Sequence, residues 1–302
     1  MAISTLPALG QVFNEADFQA PLDIPLYLAG NFAELRRNHF HSGLDLKTQG
    51  REGLTIRASA SGYISRIKVS AYGYGLALYI DHPNGYTTVY GHMSEFSKEI
   101  DLFTKNAQYD VRSFELDLEV PPDALPVEQG QIIGLSGNSG SSGGPHLHFE
   151  IRETSTEYPM NPLLWNFDVA DDVPPEIRGV ITIPLQADGR RSLSGGSSFR
   201  TTKQGSTYVL ANGPIDCWEG EPVGLALETI DRLSGQSNQC GVYMISLFVD
   251  SDLVFRQTMN KLDFDIGRHM NAHTVYDVYR SEHKSLHRSF ILPNNKLQIY
   301  SP

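Results

Sequence analysis

The sequence contains little cysteine, no long apolar run and no excess of positive charge. Two cysteines among 302 residues, Cys217 and Cys240, allow one disulfide or two buried thiols, which excludes a small disulfide-scaffolded domain. No apolar stretch approaches the ~20 residues of a membrane-spanning helix, and no signal peptide is visible at the start. Lys and Arg total 24 against 35 Asp and Glu, and the net charge of −11 argues against general binding to nucleic acid or anionic membranes.

The residues that are present are typical of a globular β-protein. Hydrophobic residues make up 40% of the chain, and 27 glycines and 17 prolines interrupt many short apolar runs. Because no long stretch keeps a 3.6-residue apolar repeat, we predict a mainly β fold with little helix. The strand candidates of the first half are Leu76–Asp81, Tyr86–His92 and His146–Arg152.

Acidic residues and a proline pair near residues 168–176 predict a domain boundary. We expect a lead-in segment over 1–24, a first domain over 25–170 and a β-sandwich over 171–302. The second half has no catalytic spacing, but it repeats short strand candidates between turn signals, as sandwiches do. These candidates are Ile177–Pro184, Thr207–Ala211, Val223–Ile230, Val242–Asp250, Leu253–Thr258 and Arg288–Leu292.

Two histidine motifs in the first half have the spacing of metal ligands. In HFHSGLD, three residues that include Gly43 separate His41 from Asp45, so the backbone can turn and bring imidazole and carboxylate together. In PHLHFEIR, strand alternation gathers the polar side chains on one face. That face is formed by His146, His148, Glu150 and Arg152.

The segment YTTVYGHM alternates in the same way. Alternation predicts one strand face with Tyr86, Thr88, Tyr90 and His92, which would aim His92 at the same groove. Three ligands of the His₂Asp type, with a fourth position left for water, describe a catalytic zinc site. Each motif alone is common among ordinary histidines, but their joint occurrence with the loop SGNSGSSGG favours a metal site.

A series of motifs extends over roughly residues 25–165. In chain order it reads His41-Ser-Gly-Leu-Asp45, Ala60-Ser-Gly62-Tyr-Ile, Tyr90-Gly-His92, Val127-Glu-Gln-Gly130-Gln-Ile-Ile-Gly134, Ser136-Gly-Asn-Ser-Gly140 and Pro145-His-Leu-His-Phe-Glu150. This series resembles the M23 family of zinc peptidases, the lysostaphin- and LytM-like peptidoglycan endopeptidases. The resemblance implies a LytM-like groove domain built on an antiparallel β-sheet.

The resemblance also implies a site and a function. One zinc ion per chain would be held by His41, Asp45 and His148, with His92 and His146 as the catalytic pair. The implied reaction is hydrolysis of peptide bonds in the stem or cross-bridge peptides of bacterial peptidoglycan, by a protein exported to the periplasm or cell envelope. The alternative is a catalytically silent LytM-like binding or activator module, which would regulate cell-wall amidases or envelope assembly. Family members of that kind lack one or more of the five positions, and all five are present here.

General chemistry allows the implied reaction. Zinc lowers the pKa of bound water toward ~7, and a neutral His92 or His146 can take the proton. The residues leave open which of the two is the base. Glu150 could orient a ligand histidine, and Tyr90 and Arg36 are further candidates for contacts to the site or to substrate.

Other histidines permit other assignments. His39 forms a second HxH pair with His41 and could replace a ligand, although Gly43 and Asp45 follow His41 at the family's spacing. His82, beside a hairpin turn, is expected to be structural. The histidine pairs at 269/273 and 283/287 lack the Glu of HExxH, so we expect no second metal site.

Two regions depart from the resemblance. An insertion at 98–126 is longer than the family's link and could form a wall or lid of the groove or a surface excursion. The second half resembles, more weakly, the immunoglobulin-like modules appended to envelope peptidases of Bacteroidetes-type bacteria. It could position substrate, bind an envelope partner or cover the groove.

Overall fold

The computed structural model describes residues 2–4, 18–165, 167–186, 196–215 and 222–301. They form two compact units. The N-terminal unit consists of 18–32 and 42–170, and the C-terminal unit consists of 2–4, 33–41 and 171–301. The domain bounds expected from the sequence stay a prediction, and they did not anticipate that 33–41 groups with residues far along the chain.

Antiparallel strands dominate both units, which confirms the predicted mainly β class. The strands are β1 (Ala2–Ser4), β2 (Leu28–Gly30), β3 (Leu35–Arg36), β4 (His39–Phe40), β5 (Leu44–Lys47), β6 (Thr55–Arg57), β7 (Gly62–Val69), β8 (Leu76–Asp81), β9 (Tyr86–Phe96), β10 (Leu116–Glu119), β11 (Pro126–Val127), β12 (Ile132–Ser136), β13 (His146–Glu153), β14 (Pro159–Met160), β15 (Glu176–Pro184), β16 (Ser198–Gln204), β17 (Thr207–Leu210), β18 (Val223–Ile230), β19 (Met244–Val249), β20 (Asp252–Thr258), β21 (Leu286–Arg288) and β22 (Tyr300–Ser301). The helices are α1 (Lys98–Val111), α2 (Met270–His273) and α3 (Tyr276–Glu282).

The N-terminal unit is built on one eleven-stranded sheet, whose main path runs β10-β7-β8-β9-β13-β5-β2. Strand β13 lies inside this path and pairs with β9 on one side and β5 on the other. Its odd-numbered side chains, Leu147, Phe149 and Ile151, are at most 1% exposed and pack into the core. The predicted alternation of this strand is therefore observed, and the polar residues lie on the opposite face.

The insertion joins the sheet at its edge. After helix α1, strand β10 pairs antiparallel with β7, and Ile100 and Thr104 are the buried residues of α1. The sequence did not predict this helix, because its apolar residues are few and Leu102 and Tyr109 are exposed. Whether the insertion acts as a wall or lid of a groove stays a prediction.

The C-terminal unit contains a six-stranded sheet, β1-β17-β16-β15-β18-β21, and a three-stranded sheet, β19-β20-β22. Val180 of β15, Leu227 of β18 and Ile245 of β19 share one core cluster, so side chains from both sheets pack together. Its immunoglobulin-like character stays a prediction. Cys240 is buried, and Cys217 lies outside the described residues, so the redox state of the two cysteines stays a prediction.

Strand predictions in this unit held where apolar residues alternate. The predicted bounds Val223–Ile230 are those of β18, whereas β16 was missed because its sequence, SFRTTKQ, is polar and largely exposed. The strand predicted over Arg288–Leu292 is wrong, since β21 ends at Arg288. Pro293 follows this segment and has no backbone N–H to continue a ladder.

A buried histidine pair lies in the core of the C-terminal unit. His273 Nε2 and His287 Nδ1 are 3.0 Å apart, and His273 Nδ1 is 3.1 Å from the Tyr300 hydroxyl. Burial lowers the pKa of His287 to about 4. Burial and the neighbouring His287 and Arg288 lower the pKa of His273 as well. A hydrogen bond between two ring nitrogens needs one unprotonated acceptor, so the pair is stable only while it is not fully charged.

We predict that acid destabilises this unit. The folded-state pKa values lie below the usual 6.5, so the stabilisation is complete above pH 6.5 and is lost as the pH falls toward 4. For His287 alone the effect is at most about 3 kcal/mol. Urea unfolding at pH 7.0, 5.5 and 4.5 measures it, and His287→Gln should flatten the pH dependence. His39→Gln, at an exposed position, should leave it unchanged; equal pH profiles for all three proteins would contradict the prediction.

Candidate metal centre

Three residues from two distant parts of the chain bring ligand atoms together. Atoms of His41, Asp45 and His148 all lie within 4.8 Å of one another, and among the described residues this is the single group of its kind. Asp45 in β5 and His148 in β13 are direct partners in the antiparallel register. Directly opposed side chains on one sheet face lie about 5 Å apart, so the register itself joins residues that are 103 positions apart in sequence.

Gly43 allows β5 to approach β13 this closely. A Cβ atom at this position would lie 2.3 Å from the carbonyl oxygen of Phe149 and 2.8 Å from Cγ of Glu150. The sequence suggested that the glycine permits a turn between His41 and Asp45. The structure gives a different reason, since Gly43 is not among the glycines with positive φ: the missing side chain makes room for the neighbouring strand.

His146 lies on the same strand face as His148, two residues earlier. Its Nε2 is 3.4 Å from Asp45 Oδ1. Its Nδ1 is 2.8 Å from the carbonyl oxygen of Gly144, which can only accept a hydrogen bond. The proton of the neutral ring is therefore on Nδ1, and Nε2 offers a lone pair beside the Asp45 carboxylate.

His92 reaches the cluster through a break in strand alternation. Leu78 pairs with Tyr90 and Leu76 pairs with Met93, so Gly91 and His92 together oppose one residue of β8. His92 has a φ of 61°, in the left-handed region. This β-bulge turns its ring toward the ligand face, where it lies 4.7 Å from the ring of His146 between centroids.

The surroundings of His92 keep its ring neutral. Burial, with the nearby His148, lowers the pKa of His92 to about 4. Its Nδ1 donates to the carbonyl oxygen of Ser139 at 2.8 Å, so Nε2 is the unprotonated nitrogen. The ring of His92 is thus neutral near pH 7 and carries a lone pair on Nε2.

Glu150 is the most densely hydrogen-bonded carboxylate near the cluster. It is fully buried. The Ser42 hydroxyl donates to it at 2.7 Å, the Tyr74 hydroxyl at 2.5 Å and Arg152 Nε at 2.6 Å. Its Oε1 also lies 2.7 Å from Nε2 of His148. Burial alone would raise the pKa of Glu150, but Arg152 and His148 hold it well below its usual range.

His148 is held in an environment that favours positive charge. Its Nδ1 faces Asp45 at 2.9 Å, while Nε2 faces Glu150. Burial alone would lower the pKa of His148, but hydrogen bonds to these carboxylates outweigh burial and raise it to about 9. A cation would take the place of the proton on Nδ1, and Glu150 would orient the ring from the other side.

Other sequence candidates have partners outside the cluster. Tyr90 is fully buried on the opposite sheet face, where its ring packs against Phe149 and its hydroxyl binds the backbone N–H of Ser59. Arg36 pairs with Glu34 at 3.7 Å. His39 is exposed, and its Nδ1 donates to the Arg37 carbonyl oxygen at 3.0 Å.

Tyr74 is a residue of this site that the sequence did not reveal. Its ring stacks on His148 with 5.0 Å between centroids, and its hydroxyl binds Glu150. The residue follows Ala71-Tyr72-Gly73 in a loop with no periodic pattern. Its contact with β13 depends on pairing between distant strands, so no local spacing could have identified it.

The donor set fits a divalent cation such as zinc. Two imidazoles and one carboxylate are ligands that zinc accepts, and three protein ligands leave a further coordination position. Two additional imidazoles lie beside them. An antiparallel sheet that carries this arrangement has the parts of a hydrolytic metal centre.

Comparison with known proteins relates this domain to a known family. Residues 39–108 and 123–162 match the profile of Peptidase family M23. Both ranges contain candidate site residues, His41, Asp45 and His92 in the first and His146 and His148 in the second. The chain therefore contains an M23 peptidase-like domain, which confirms the resemblance recognised from the motifs.

The similarity to individual known proteins extends over part of this chain. It is 37% identical over 123 residues to the DD-carboxypeptidase/endopeptidase Mpg of Neisseria meningitidis serogroup B, over 41% of this chain and 22% of Mpg. It is 28% identical over 172 residues to the peptidoglycan DD-endopeptidase ShyA of Vibrio cholerae serotype O1, over 55% of this chain and 33% of ShyA. It is also similar to the catalytic domain of the antimicrobial peptidase lysostaphin from Staphylococcus simulans, with 25% identity, a TM-score of 0.32 and coverage of 44% of this chain and 86% of that one.

The similarity has a limited extent. The chain spans between about a fifth and a third of the length of the curated relatives described above. In the part of the chain that the structure describes, no helix combines the length and the apolar character needed to cross a membrane.

The close approach at Gly43 gives a test of the centre. Gly43→Ala should force β5 away from β13 and lower zinc affinity at least about tenfold, as measured by competition with a chromophoric chelator. Gly143→Ala is the matched control, because a Cβ there meets no atom within 4 Å. Unchanged zinc affinity in Gly43→Ala would show that the ligands do not depend on this approach.

Proposed function

We propose that the protein is a zinc-dependent endopeptidase that hydrolyses peptide bonds in the stem or cross-bridge peptides of bacterial peptidoglycan. The observation that carries the proposal is the convergence of His41, Asp45 and His148, with His92 and His146 beside them. The M23 match and the names of the relatives Mpg and ShyA support the reaction and the substrate class. Export to the periplasm or cell envelope is part of the proposal, as is an envelope protein partner for the C-terminal unit.

His41, Asp45 and His148 would hold one zinc ion per chain. When bound, zinc supplies Lewis-acid activation of water and of the substrate carbonyl. Neighbouring side chains orient two of these ligands. Glu150 fixes the ring of His148 through Nε2, and the Asp45 carboxylate lies between His146 and His148.

The two remaining imidazoles would move protons. His92 presents an unprotonated Nε2, because Ser139 fixes its Nδ1–H, and it can accept a proton from an attacking water. His146 presents its Nε2 3.4 Å from Asp45 Oδ1, on the same strand face as His148. Together they can supply one acceptor and one donor for cleavage and for the leaving amine.

Digestion of purified peptidoglycan tests the function. The zinc-loaded protein should release muropeptides with new amine termini, identified by mass, and a chelator should abolish their release. His146→Ala should lower turnover by about 10²- to 10⁴-fold, and His283→Asn, at an exposed position of the C-terminal unit, should not. Undigested peptidoglycan with a tightly bound zinc ion would instead favour a silent module that regulates other enzymes.

Zinc content separates the ligands from the catalytic pair. Alanine at His41, Asp45 or His148 should abolish zinc retention, since each substitution leaves two ligands. His146→Ala should keep one zinc per chain, because its Nε2 is not in the ligand group. Metal analysis after dialysis measures both, and a full zinc content in Asp45→Ala would refute the ligand set.

Glu150 should act on zinc affinity without touching the ion. Glu150→Gln removes the charge that His148 and Arg152 share, and we expect zinc affinity to fall about 10- to 100-fold. Chelator competition measures the change. Glu157→Gln is the control, because Glu157 also faces Arg152 but its side chain is 68% exposed. Equal affinity in both variants would contradict a positioning role for Glu150.

A further inference from the structure

A cavity of 370 Å³ lies in the C-terminal unit, beside the hairpin that ends at His41. Strands β3 and β4 form this hairpin, and Arg36 pairs with His39 across a two-residue turn. Arg37, at the turn, and Arg268, in a short 3₁₀ helix over Gly267–His269, both line the cavity. Phe40 and Phe264 add aromatic walls.

The charges that line this cavity are unequal. Arg37 and Arg268 are exposed, and among the described residues neither guanidinium forms an ion pair. Asp263 is the acidic residue of the lining, and its Oδ1 accepts the backbone N–H of Asp265 at 2.8 Å. Two cations against one carboxylate leave an excess of one positive charge, which matches a monoanion.

The turn that carries Arg37 is fixed in place. Asn38 has a φ of 67°, and its Oδ1 accepts from the Tyr276 hydroxyl at 2.7 Å and from Asn271 Nδ2 at 3.3 Å. The Tyr279 hydroxyl donates to the Leu35 carbonyl oxygen at 2.9 Å. Helices α2 and α3 thus hold both ends of the hairpin, so the backbone that bears Arg37 needs no rearrangement to bind a ligand.

We propose that this cavity binds a carboxylate group of the peptide substrate through Arg37 and Arg268. Guanidinium groups match planar carboxylates with paired hydrogen bonds, and the aromatic walls suit the apolar part of the same amino acid. The inference rests on the proposed function for the identity of the ligand as a peptide. In the sequence, the hairpin that lines the cavity directly precedes His41.

This assignment gives the contact with substrate to Arg37, the residue after Arg36. Arg36 was the sequence candidate, but its guanidinium faces Glu34. Arg37, the neighbouring residue, carries the unpaired charge. Arg268 lies 231 positions further on, so only the grouping of 33–41 with the C-terminal unit brings the two cations to one cavity.

Calorimetric titration of the zinc-loaded full-length chain tests the proposal. The probes are N-acetyl-alanyl-alanine and its C-terminal carboxamide, which differ in the carboxylate alone. We expect the wild type to prefer the carboxylate about tenfold or more, and Arg37→Gln and Arg268→Gln each to remove most of that preference. Arg280→Gln is the matched control, since Arg280 is an exposed arginine of the same unit outside the cavity lining.

The outcomes are distinct. A carboxylate preference that persists in both arginine variants would overturn the proposal, because the group would then bind elsewhere, including at zinc. Tighter binding of inorganic phosphate than of the peptide, lost in the same variants, would also overturn it in favour of a general anion site. The titration measures binding and does not depend on turnover. If the protein fails to digest peptidoglycan, the proposed function is refuted, but the carboxylate preference of the cavity can still be measured.

Discussion

The centre depends on one cross-strand pair, His148 opposite Asp45. The register between β13 and β5 places these residues side by side, and Gly43 lets the strands approach closely enough for the pair to form. A slip of one residue would move Leu147 or Phe149 to this place and turn the imidazole into the core. Register is held against such a slip because the odd-numbered residues of β13 fill the core below the sheet.

The sequence predicted the parts of the site that follow local rules. Alternation correctly placed His146, His148 and Glu150 on one face, since nothing interrupts the ladder of β13. Alternation failed in β9, because the bulge at Gly91 and His92 reverses the face that His92 would otherwise occupy. Alternation therefore predicted Tyr90 and His92 on the same face of the sheet, whereas in the structure they lie on opposite faces. A bulge depends on the partner strand, so one strand's sequence does not reveal it.

The other features that the sequence did not predict also depend on contacts between distant segments. Tyr74 and the Ser139 carbonyl reach the site from loops, and their positions depend on contacts between distant segments. The hairpin 33–41 groups with residues more than 200 positions away, through polar contacts of Asn38 and Leu35 that carry no sequence pattern. Strands rich in apolar residues, such as β8 and β18, were predicted with their bounds, and the polar strand β16 was not.

The left-handed backbone at His92 sets the proposed catalytic role of this residue against the stability of the fold. A non-glycine residue in this conformation carries a conformational penalty of about 1 kcal/mol or more, and His92 is also 93% shielded from solvent as a neutral ring. Glycine would relieve the backbone there and remove the imidazole. If His92 has the proposed role, selection for stability alone would favour its replacement, and a histidine retained at this bulge among natural variants would indicate selection for activity.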